Sequence, residues 1–337
     1  MLRRSQISIT ESNSGKLATL DGIFLESKRV VNLYIDLIWT AKDFSSKFIT
    51  FKVDTWLSAR LQQCLGKQAL EIVKSQRKKK IKHKPVFKKD VINLDARFVD
   101  VQYDKNSFDI WFRIGSIGNK IFLNLPGKKH SHFHKYDLWA TKKSYRLRRI
   151  GAKYFIDMVF EKDAPELKLT GESIGIDQGF KKLIATSNSQ KFDTGLEQAY
   201  LKIVSKKQGS KAFKRALAER DNKIGESINL IPFNEIKSIA VEGLKNIKHK
   251  SKFSKKFNNK LQRWSYPKVL DKLSLRCEEL GILFKKVNPA FTSQKCCSCG
   301  FTHKSNRLGE NFLCVKCGFV FDADFNAAKN ILVLGSL

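Results

Sequence analysis

The spacing of apolar residues divides the first half of the chain into helical and strand-like stretches. Alternation over residues 3–9 predicts a short strand, and apolar residues at helical spacing predict helices over 17–40 and 55–76. Residues 92–160 contain short runs rich in Phe, Ile, Val and Tyr, separated by turn residues such as Pro126–Gly127. This part is typical of a small antiparallel sheet or barrel. The first half is therefore expected to combine helices with a β-rich domain.

A different pattern begins at residue 172, after a linker-like stretch at 162–171. Continuous apolar runs predict buried strands, and stretches with helical spacing lie between them. Such alternation is typical of an α/β domain. The predicted strands are ESIGID, KKLIATS, KSIAVEG and ILFKKVN, and the predicted helices cover 198–230, about 267–280 and the closing segment DFNAAKNILVL.

The net charge restricts the partner. The 337 residues include 64 Lys and Arg against 32 Asp and Glu, which gives a formal net charge of +32 at pH 7. A surface of this charge repels itself and favours a polyanion, foremost nucleic acid, because phosphate contacts release counterions. Hydrophobic residues make up 42% of the chain and argue against wholesale disorder. The charge is compatible with a ribosomal-type binder, a transposase or a nuclease. It argues against an enzyme that acts only on small molecules.

The compartment follows from two further features. No run approaches the roughly 18 apolar residues of a membrane span. The first residues, MLRRSQISIT, lack the apolar core of a secretory signal. We therefore expect no membrane association and a cytoplasmic location, in the bacterial cytosol or nucleoid.

Seven cysteines are present, and five of them lie within 22 residues. Two C-x-x-C pairs separated by 14 residues, each followed by a glycine, predict a tetrahedral zinc site that is structural because no coordination position is left open. A redox dithiol or a chance cluster is the alternative. Cys297 is off register, and Cys64 and Cys277 fall on apolar helix faces. The predicted zinc ligands are Cys296, Cys299, Cys314 and Cys317.

Acidic residues are the minority, so acids at the ends of buried strands are informative. Asp177 ends ESIGID, Glu242 ends KSIAVE, and Asp324 opens the closing helix beside Asp322. Carboxylates at such positions can converge, but three of them repel one another unless cations neutralise them. Two Mg²⁺ ions about 4 Å apart would do so and would form the clamp for in-line phosphodiester hydrolysis. Taken singly, each acid is better explained as a strand end or a helix cap, and only the three together, in this order around the cysteine pairs, favour the metal site.

The order of these motifs resembles a known family. GIDQG, IAVEGL, NPAFTSQKCCSCG with CVKCG, and DADFNAAKNIL are similar to motifs of the transposon-encoded TnpB family and the compact type V CRISPR effectors. The resemblance implies a RuvC-like nuclease of RNase H fold, interrupted by a zinc ribbon, whose catalytic and magnesium-binding acids are Asp177, Glu242 and Asp324. The family motif favours Asp324 over Asp322, which could lie close by. Residues 57–70 resemble the recognition-lobe helix, and 142–162 resemble the end of the wedge barrel.

The resemblance also implies a multidomain α+β and α/β fold with a definite layout. A helical recognition lobe, a small β-barrel (wedge) domain and the interrupted nuclease follow one another along the chain. The expected boundaries are 1–10 for the first wedge strand, 11–90 for the recognition lobe, 91–168 for the wedge barrel, 169–290 for the first nuclease part, 291–320 for the zinc ribbon and 321–337 for the last nuclease motif.

The function implied by the resemblance is RNA-guided cleavage of DNA. A structured non-coding guide RNA would pair with one strand of a double-stranded target that carries a short flanking motif. The implied cofactors are two Mg²⁺ ions (or Mn²⁺), structural Zn²⁺ and the guide RNA, held by a monomer or by a dimer on one RNA. Two alternatives remain: a nuclease-silent guided repressor, and a non-guided transposition accessory protein.

Two basic segments, 77–89 and 245–260, are candidates for contact with the nucleic-acid backbone. A solvated loop or helix face is an equally good explanation for the first of them. The candidate contact residues are Lys78, Lys79, Lys80, Lys248, Lys250, Lys252, Lys255 and Lys256.

Overall fold

The computed structural model divides into two compact units, Met1–Asp163 and Ala164–Leu337, and each has its own buried apolar core. Within the part of the chain that is described, no helix is both long enough and apolar enough to cross a membrane. The described residues are 1–41, 51–79, 83–105, 107–179, 183–244 and 265–336.

Two helices pack against each other in the first unit: α1, Ser14–Thr40, and α2, Ala59–Arg77. Asn13 and Ser58 cap them, because each side chain accepts a hydrogen bond from a backbone N–H of the first turn. The apolar pattern set the start of the second helix at residue 55, which is too early. The spacing of apolar residues gives no indication of the Ser58 cap, and this cap determines where the first turn of α2 begins.

Two antiparallel sheets complete the first unit. One has the strand order β1-β7-β6-β2 and the other the order β3-β4-β5. The first strand of the chain joins strands that come more than a hundred residues later, with Ile7 opposite Ile156. The strands are β1 (Leu2–Ser8), β2 (Val91–Asp95), β3 (Val99–Lys105), β4 (Phe108–Gly115), β5 (Phe122–Gly127), β6 (Ala140–Ile150) and β7 (Lys153–Glu161).

The second unit is built on a five-stranded mixed sheet in the order β10-β9-β8-β11-β12. Its central strands β8, β11 and β12 are parallel, and β9 runs antiparallel to β8. Parallel strands end at the same edge, so the register of β8 and β11 decides which of their last residues meet. The strands are β8 (Glu172–Asp177), β9 (Ile184–Thr186), β10 (Lys191–Phe192), β11 (Ile236–Glu242) and β12 (Leu283–Val287).

The helices of the second unit are α3, Leu196–Val204, α4, Lys211–Asn229, α5, Tyr266–Leu280, and α6, Ala323–Ser336. The sequence pattern predicted a mostly helical stretch over 198–230. The structure breaks it after α3, because Gly209 adopts a positive φ of 83° and the Ser210 side chain then caps α4.

Helix α6 packs closely on β8 and β11. Gly175 in the middle of β8 makes this approach possible, since a Cβ added there would lie 2.1 Å from the carbonyl oxygen of Ala328. The turn of the chain into α6 comes from a small antiparallel sheet, β13-β14-β15. Its strands are Arg307–Leu308, Asn311–Leu313 and Val320–Asp322.

Candidate active site

Three of the acids singled out from the sequence lie at one edge of the mixed sheet. Asp177 is the last residue of β8 and Glu242 the last of β11, and Val241 pairs with Ile176. This register brings the two carboxyl groups side by side. Asp324 lies in the first turn of α6, the helix that packs on both strands. The charges of Glu242 and Asp324 both act on Asp177, so the three acids lie near one another, and we refer to them as the acid cluster.

Burial and mutual repulsion disfavour the ionised state of this acid cluster. Burial raises the pKa of Asp177 most, and the charges of Glu242 and Asp324 add to it, so the pKa reaches about 8. Burial likewise raises the pKa of Glu242. A cluster of oxygen donors that resists holding its own negative charge fits a hard divalent cation, since that ion would remove the repulsion.

Arg307 is a member of the site that the sequence analysis missed. It lies in β13, between the two cysteine pairs, and its Nη2 donates to Oδ1 of Asp324 at 2.9 Å. Its positive charge lowers the pKa values of both Asp177 and Glu242 against the effect of burial. No motif in the sequence distinguishes this arginine from the many other cations, because only the folded chain brings it to the acids.

Two hydroxyl groups hold the Glu242 end of the site. The hydroxyl of Thr292 donates to Oε1 of Glu242, and that of Tyr266 donates to the backbone carbonyl of the same residue. Tyr266 also accepts a hydrogen bond from the N–H of Leu244 at 3.0 Å. Burial, together with the charges of Glu242 and Asp177, raises the pKa of Tyr266 to about 12, so this phenol stays protonated as a donor.

Asp322 has a different role from Asp324. Its carboxylate pairs with Lys191 at 2.5 Å and accepts hydrogen bonds from the N–H groups of Asp324 and Phe325 at 3.0 and 3.3 Å. Burial tends to raise the pKa of Asp322, but Lys191 and these N–H groups outweigh it and lower the pKa. Asp322 is thus the cap of α6, and it positions the helix that carries Asp324.

The four predicted zinc ligands come together in space. Sγ of Cys296 lies 3.8 Å from that of Cys317, Sγ of Cys299 lies 3.6 Å from that of Cys314, and all four sulfurs lie within 4.8 Å of one another. A tetrahedral ion with zinc–sulfur bonds of about 2.3 Å requires sulfurs about 3.8 Å apart. The donor set and its spacing therefore fit zinc. Among the described residues, this is the one group of three or more His, Cys, Asp or Glu side chains whose ligand atoms lie close enough together to hold a metal ion.

The turns that hold the sulfurs have the same hydrogen-bond pattern. The N–H of Gly300 donates to the carbonyl of Cys296, and that of Gly318 donates to the carbonyl of Cys314, both at 2.9 Å. Both glycines have a positive φ, of 76° and 73°, which explains why glycine follows each pair. The remaining cysteines lie apart: Cys297 is off the cluster, Cys64 is half-buried and Cys277 is buried in the core of the second unit.

Of the predicted nucleic-acid contacts, the structure describes Lys78 and Lys79. Both are exposed at the end of α2, where Lys78 is the C-terminal cap and Lys79 Nζ donates to the side chain of Gln76 at 2.7 Å. Their contact with nucleic acid stays a prediction. Lys80, Lys248, Lys250, Lys252, Lys255 and Lys256 lie outside the described residues.

Comparisons with known proteins agree with the motifs. Residues 266–331 match the family model described as "Cas12f1-like, TNB domain". The chain is 42% identical over 74 residues to the CRISPR-associated endodeoxyribonuclease Cas12f1 of Sulfoacidibacillus thermotolerans, which covers 22% of this chain and 18% of that protein. It is 26% identical over 260 residues to the TnpB-like protein MJ0751 of Methanocaldococcus jannaschii, which covers 72% of this chain and 88% of that protein.

The fold also has a solved counterpart. A cryo-EM structure of a Cas12f1–sgRNA–target DNA complex matches with a TM-score of 0.58 at 15% identity, and the match covers 93% of this chain and 82% of that one. The chain spans about a fifth of the length of the Cas12f1 relatives that it matches in sequence. Together these matches confirm the resemblance: the chain is similar to TnpB proteins and to the compact type V CRISPR effectors.

Proposed function

We propose that this chain is an RNA-guided DNA endonuclease that cleaves phosphodiester bonds with two metal ions at a RuvC-like centre. The observation that carries the proposal is the meeting of Asp177, Glu242 and Asp324 at the carboxyl edge of the mixed sheet. Relatives named as endodeoxyribonucleases support the same reaction class.

In the proposed layout, the recognition lobe is 11–90 and the wedge is 1–10 with 91–168. The nuclease of RNase H fold is 169–290 with 321–337, and the zinc ribbon is 291–320. The pairing of β1 with β7 supports the assignment of the first strand to the wedge, and the division of the chain after Asp163 supports a boundary near 168.

The three acids would hold Mg²⁺ or Mn²⁺. When bound, these ions supply an activated water and stabilise the leaving 3′ oxygen. Asp177, with a pKa of about 8, holds its proton at neutral pH until a cation takes its place. Arg307 offers a guanidinium beside the acids, where it can donate to an oxygen of the scissile phosphate. Residues Cys296, Cys299, Cys314 and Cys317 would hold the structural zinc.

The proposed partners are a structured non-coding guide RNA and double-stranded DNA with a short flanking motif. The net charge of +32 supports this, because a heteroduplex channel needs many cations along its backbone contacts. One chain or two would occupy each RNA. We place this activity in the bacterial cytosol or nucleoid, where its substrates are.

The proposal is tested with protein that is expressed together with the DNA flanking its own gene. Sequencing of the RNA that co-purifies identifies the guide, and a plasmid with a matched target and a randomised flank then serves as substrate in Mg²⁺. We expect linear product from a subset of flanks, and none from Asp177→Ala, Glu242→Ala or Asp324→Ala complexes that still bind the target. Absence of a specific RNA would favour the accessory protein, and guided binding without cutting would favour the repressor.

A further inference from the structure

A series of buried hydrogen bonds joins the first cysteine pair to the acid cluster. Asn326 and Asn330 lie on α6 and are 0% and 5% exposed. The Asn326 amide donates to the carbonyl of Lys295 at 2.8 Å, and its oxygen accepts from the N–H of Cys297 at 3.0 Å. These two bonds hold the backbone on either side of Cys296, one of the predicted zinc ligands. The helix that carries Asp324 is thereby fixed to the first cysteine turn.

The second asparagine extends the series towards Glu242. The amide of Asn330 donates to the carbonyl of Thr292 at 2.9 Å and to that of Lys295 at 2.7 Å. Thr292 is 3% exposed, and its hydroxyl donates to Oε1 of Glu242. The segment 292–297 is therefore held by α6 on one side and holds the Glu242 carboxylate on the other.

The hydroxyl of Thr292 has one proton and two acceptors within reach. One is Glu242, and the other is the carbonyl of Pro289 at 3.1 Å. A bond to a carboxylate is charge-assisted and is the stronger of the two, so the proton belongs with Glu242. This bond orients the planar carboxylate through Oε1 and leaves Oε2 available to an ion.

We propose that Thr292 is the positioning residue of Glu242. In the same proposal, the hydrogen bonds of Asn326 and Asn330 hold the cysteine site and the acid cluster in a fixed position relative to each other. This rests on the proposed function, because it assumes that Glu242 binds a catalytic ion. Outer partners of ligating carboxylates set both the orientation of the ligand and the affinity for the metal. Glu242 and Asp324 are far apart in sequence, yet both are held by the segment 292–297. Glu242 contacts it through Thr292, and the helix that carries Asp324 contacts it through Asn326 and Asn330.

The test separates the hydroxyl from the shape of the side chain. Thr292→Val keeps the shape and removes the hydroxyl, whereas Thr292→Ser keeps the hydroxyl and removes a methyl. Both are prepared as complexes with guide RNA, with zinc content and guided DNA binding as checks on folding. The readouts are Mn²⁺ binding by paramagnetic resonance and the Mg²⁺ dependence of single-turnover cleavage.

We expect Thr292→Val to weaken Mn²⁺ binding by roughly tenfold or more and to shift cleavage to correspondingly higher Mg²⁺. Thr292→Ser should restore most of both, and zinc content should be unchanged in each. Wild-type Mn²⁺ affinity in Thr292→Val, or an equal loss in Val and Ser, would overturn the proposal. If Thr292→Val does not fold, Thr292→Ala replaces it under the same criteria.

Failure of the positioning role and failure of the proposed reaction give different results. A wild-type complex that binds Mn²⁺ through Asp177 but does not cut would contradict the endonuclease, while the comparison of Val with Ser would still decide the role of Thr292. Mn²⁺ binding that does not change in Asp177→Ala would overturn the positioning role, because no ion would then reside at these acids.

Discussion

Arg307 donates to Asp324 across 2.9 Å and so ties the segment between the two cysteine pairs to the first turn of α6. The ion pair is partly shielded from solvent, because the side chains of Arg307 and Asp324 are 30% and 13% exposed. Arg307 is also the cation that offsets the repulsion felt by Asp177 and Glu242. In the protein alone, one guanidinium thus does part of what a bound divalent cation would do for the acid cluster.

Replacing Arg307 should therefore affect cutting more than binding. We expect Arg307→Gln to lower the cleavage rate about 100-fold, the usual effect of losing one preorganised donor to a developing charge. Single-turnover cleavage and guided DNA binding measure the two effects. Lys304→Gln is the matched control, since it removes the same charge from an exposed residue of the same segment. Equal cleavage by the two variants would exclude Arg307 from the reaction.

The raised pKa of Asp177 predicts how the stability of the metal-free protein depends on pH. An acid whose pKa rises from 3.8 to about 8 on folding binds its proton more tightly in the folded state. Between these values the folded chain holds more protons than the unfolded chain, so stability falls as pH rises, by at most about 1.4 kcal/mol per pH unit.

Asp177→Asn removes this loss, because asparagine resembles the protonated acid. In EDTA we expect the melting temperature of Asp177→Asn to exceed that of the wild type at pH 8, with a smaller difference at pH 5. Added Mg²⁺ should stabilise the wild type and reverse the order. A difference that stays constant between pH 5 and pH 8 would contradict the assignment of a raised pKa.

Asp322 and Asp324 form a matched pair two residues apart. Asp324→Asn should abolish cutting and leave guided binding intact, since it removes a proposed metal ligand and the partner of Arg307. Asp322→Ala removes a helix cap and a partner of Lys191, so we expect a stability loss of about 1 kcal/mol with cutting retained. Plasmid cleavage and thermal melting distinguish the two, and the opposite pattern would exchange their roles.

The cysteine site predicts one zinc ion per chain. Cys296→Ser should lose this zinc and melt at a lower temperature, because the ion then no longer joins its two turns. Cys297→Ser is the control next to it, and we expect it to retain the zinc. Elemental analysis of the pure proteins measures both. Little or no zinc in the wild type would exclude the site.

Much of the geometry of the candidate site could be predicted from the sequence, because its residues lie at the ends of predicted strands or in closely spaced cysteine pairs. Asp177 and Glu242 end apolar runs, and parallel strands bring such ends together whatever lies between them. The cysteine pairs have the spacing of tight turns, so their chemistry depends on a few neighbouring residues. These features need only local structure and the order of strands.

The roles of Arg307 and Thr292 could not be predicted in the same way, although Thr292 lies in one of the family-like motifs. Arg307 contacts Asp324, 17 residues later, and Thr292 contacts Glu242, 50 residues earlier. Both contacts exist only once the cysteine turns and α6 have packed. The break between α3 and α4 has a local signal that the prediction of one helical stretch passed over, because residues 205–211 contain no apolar side chain and Gly209 and Ser210 supply the turn and the cap.

The close packing of α6 on β8 holds Asp324 at the edge of the sheet. A Cβ at Gly175 would lie 2.1 Å from the Ala328 carbonyl and 2.5 Å from the Leu332 N–H nitrogen, so Gly175→Ala must push α6 off β8. We expect a stability loss of about 3 kcal/mol or more and a loss of cutting that exceeds any loss of guided binding.

Gly22→Ala on α1 is the control, because nothing lies within 4 Å of its added Cβ. That change should be neutral or stabilise by up to about 1 kcal/mol. Equal melting temperatures and cleavage rates for Gly175→Ala and Gly22→Ala would show that α6 does not need this close approach to hold Asp324.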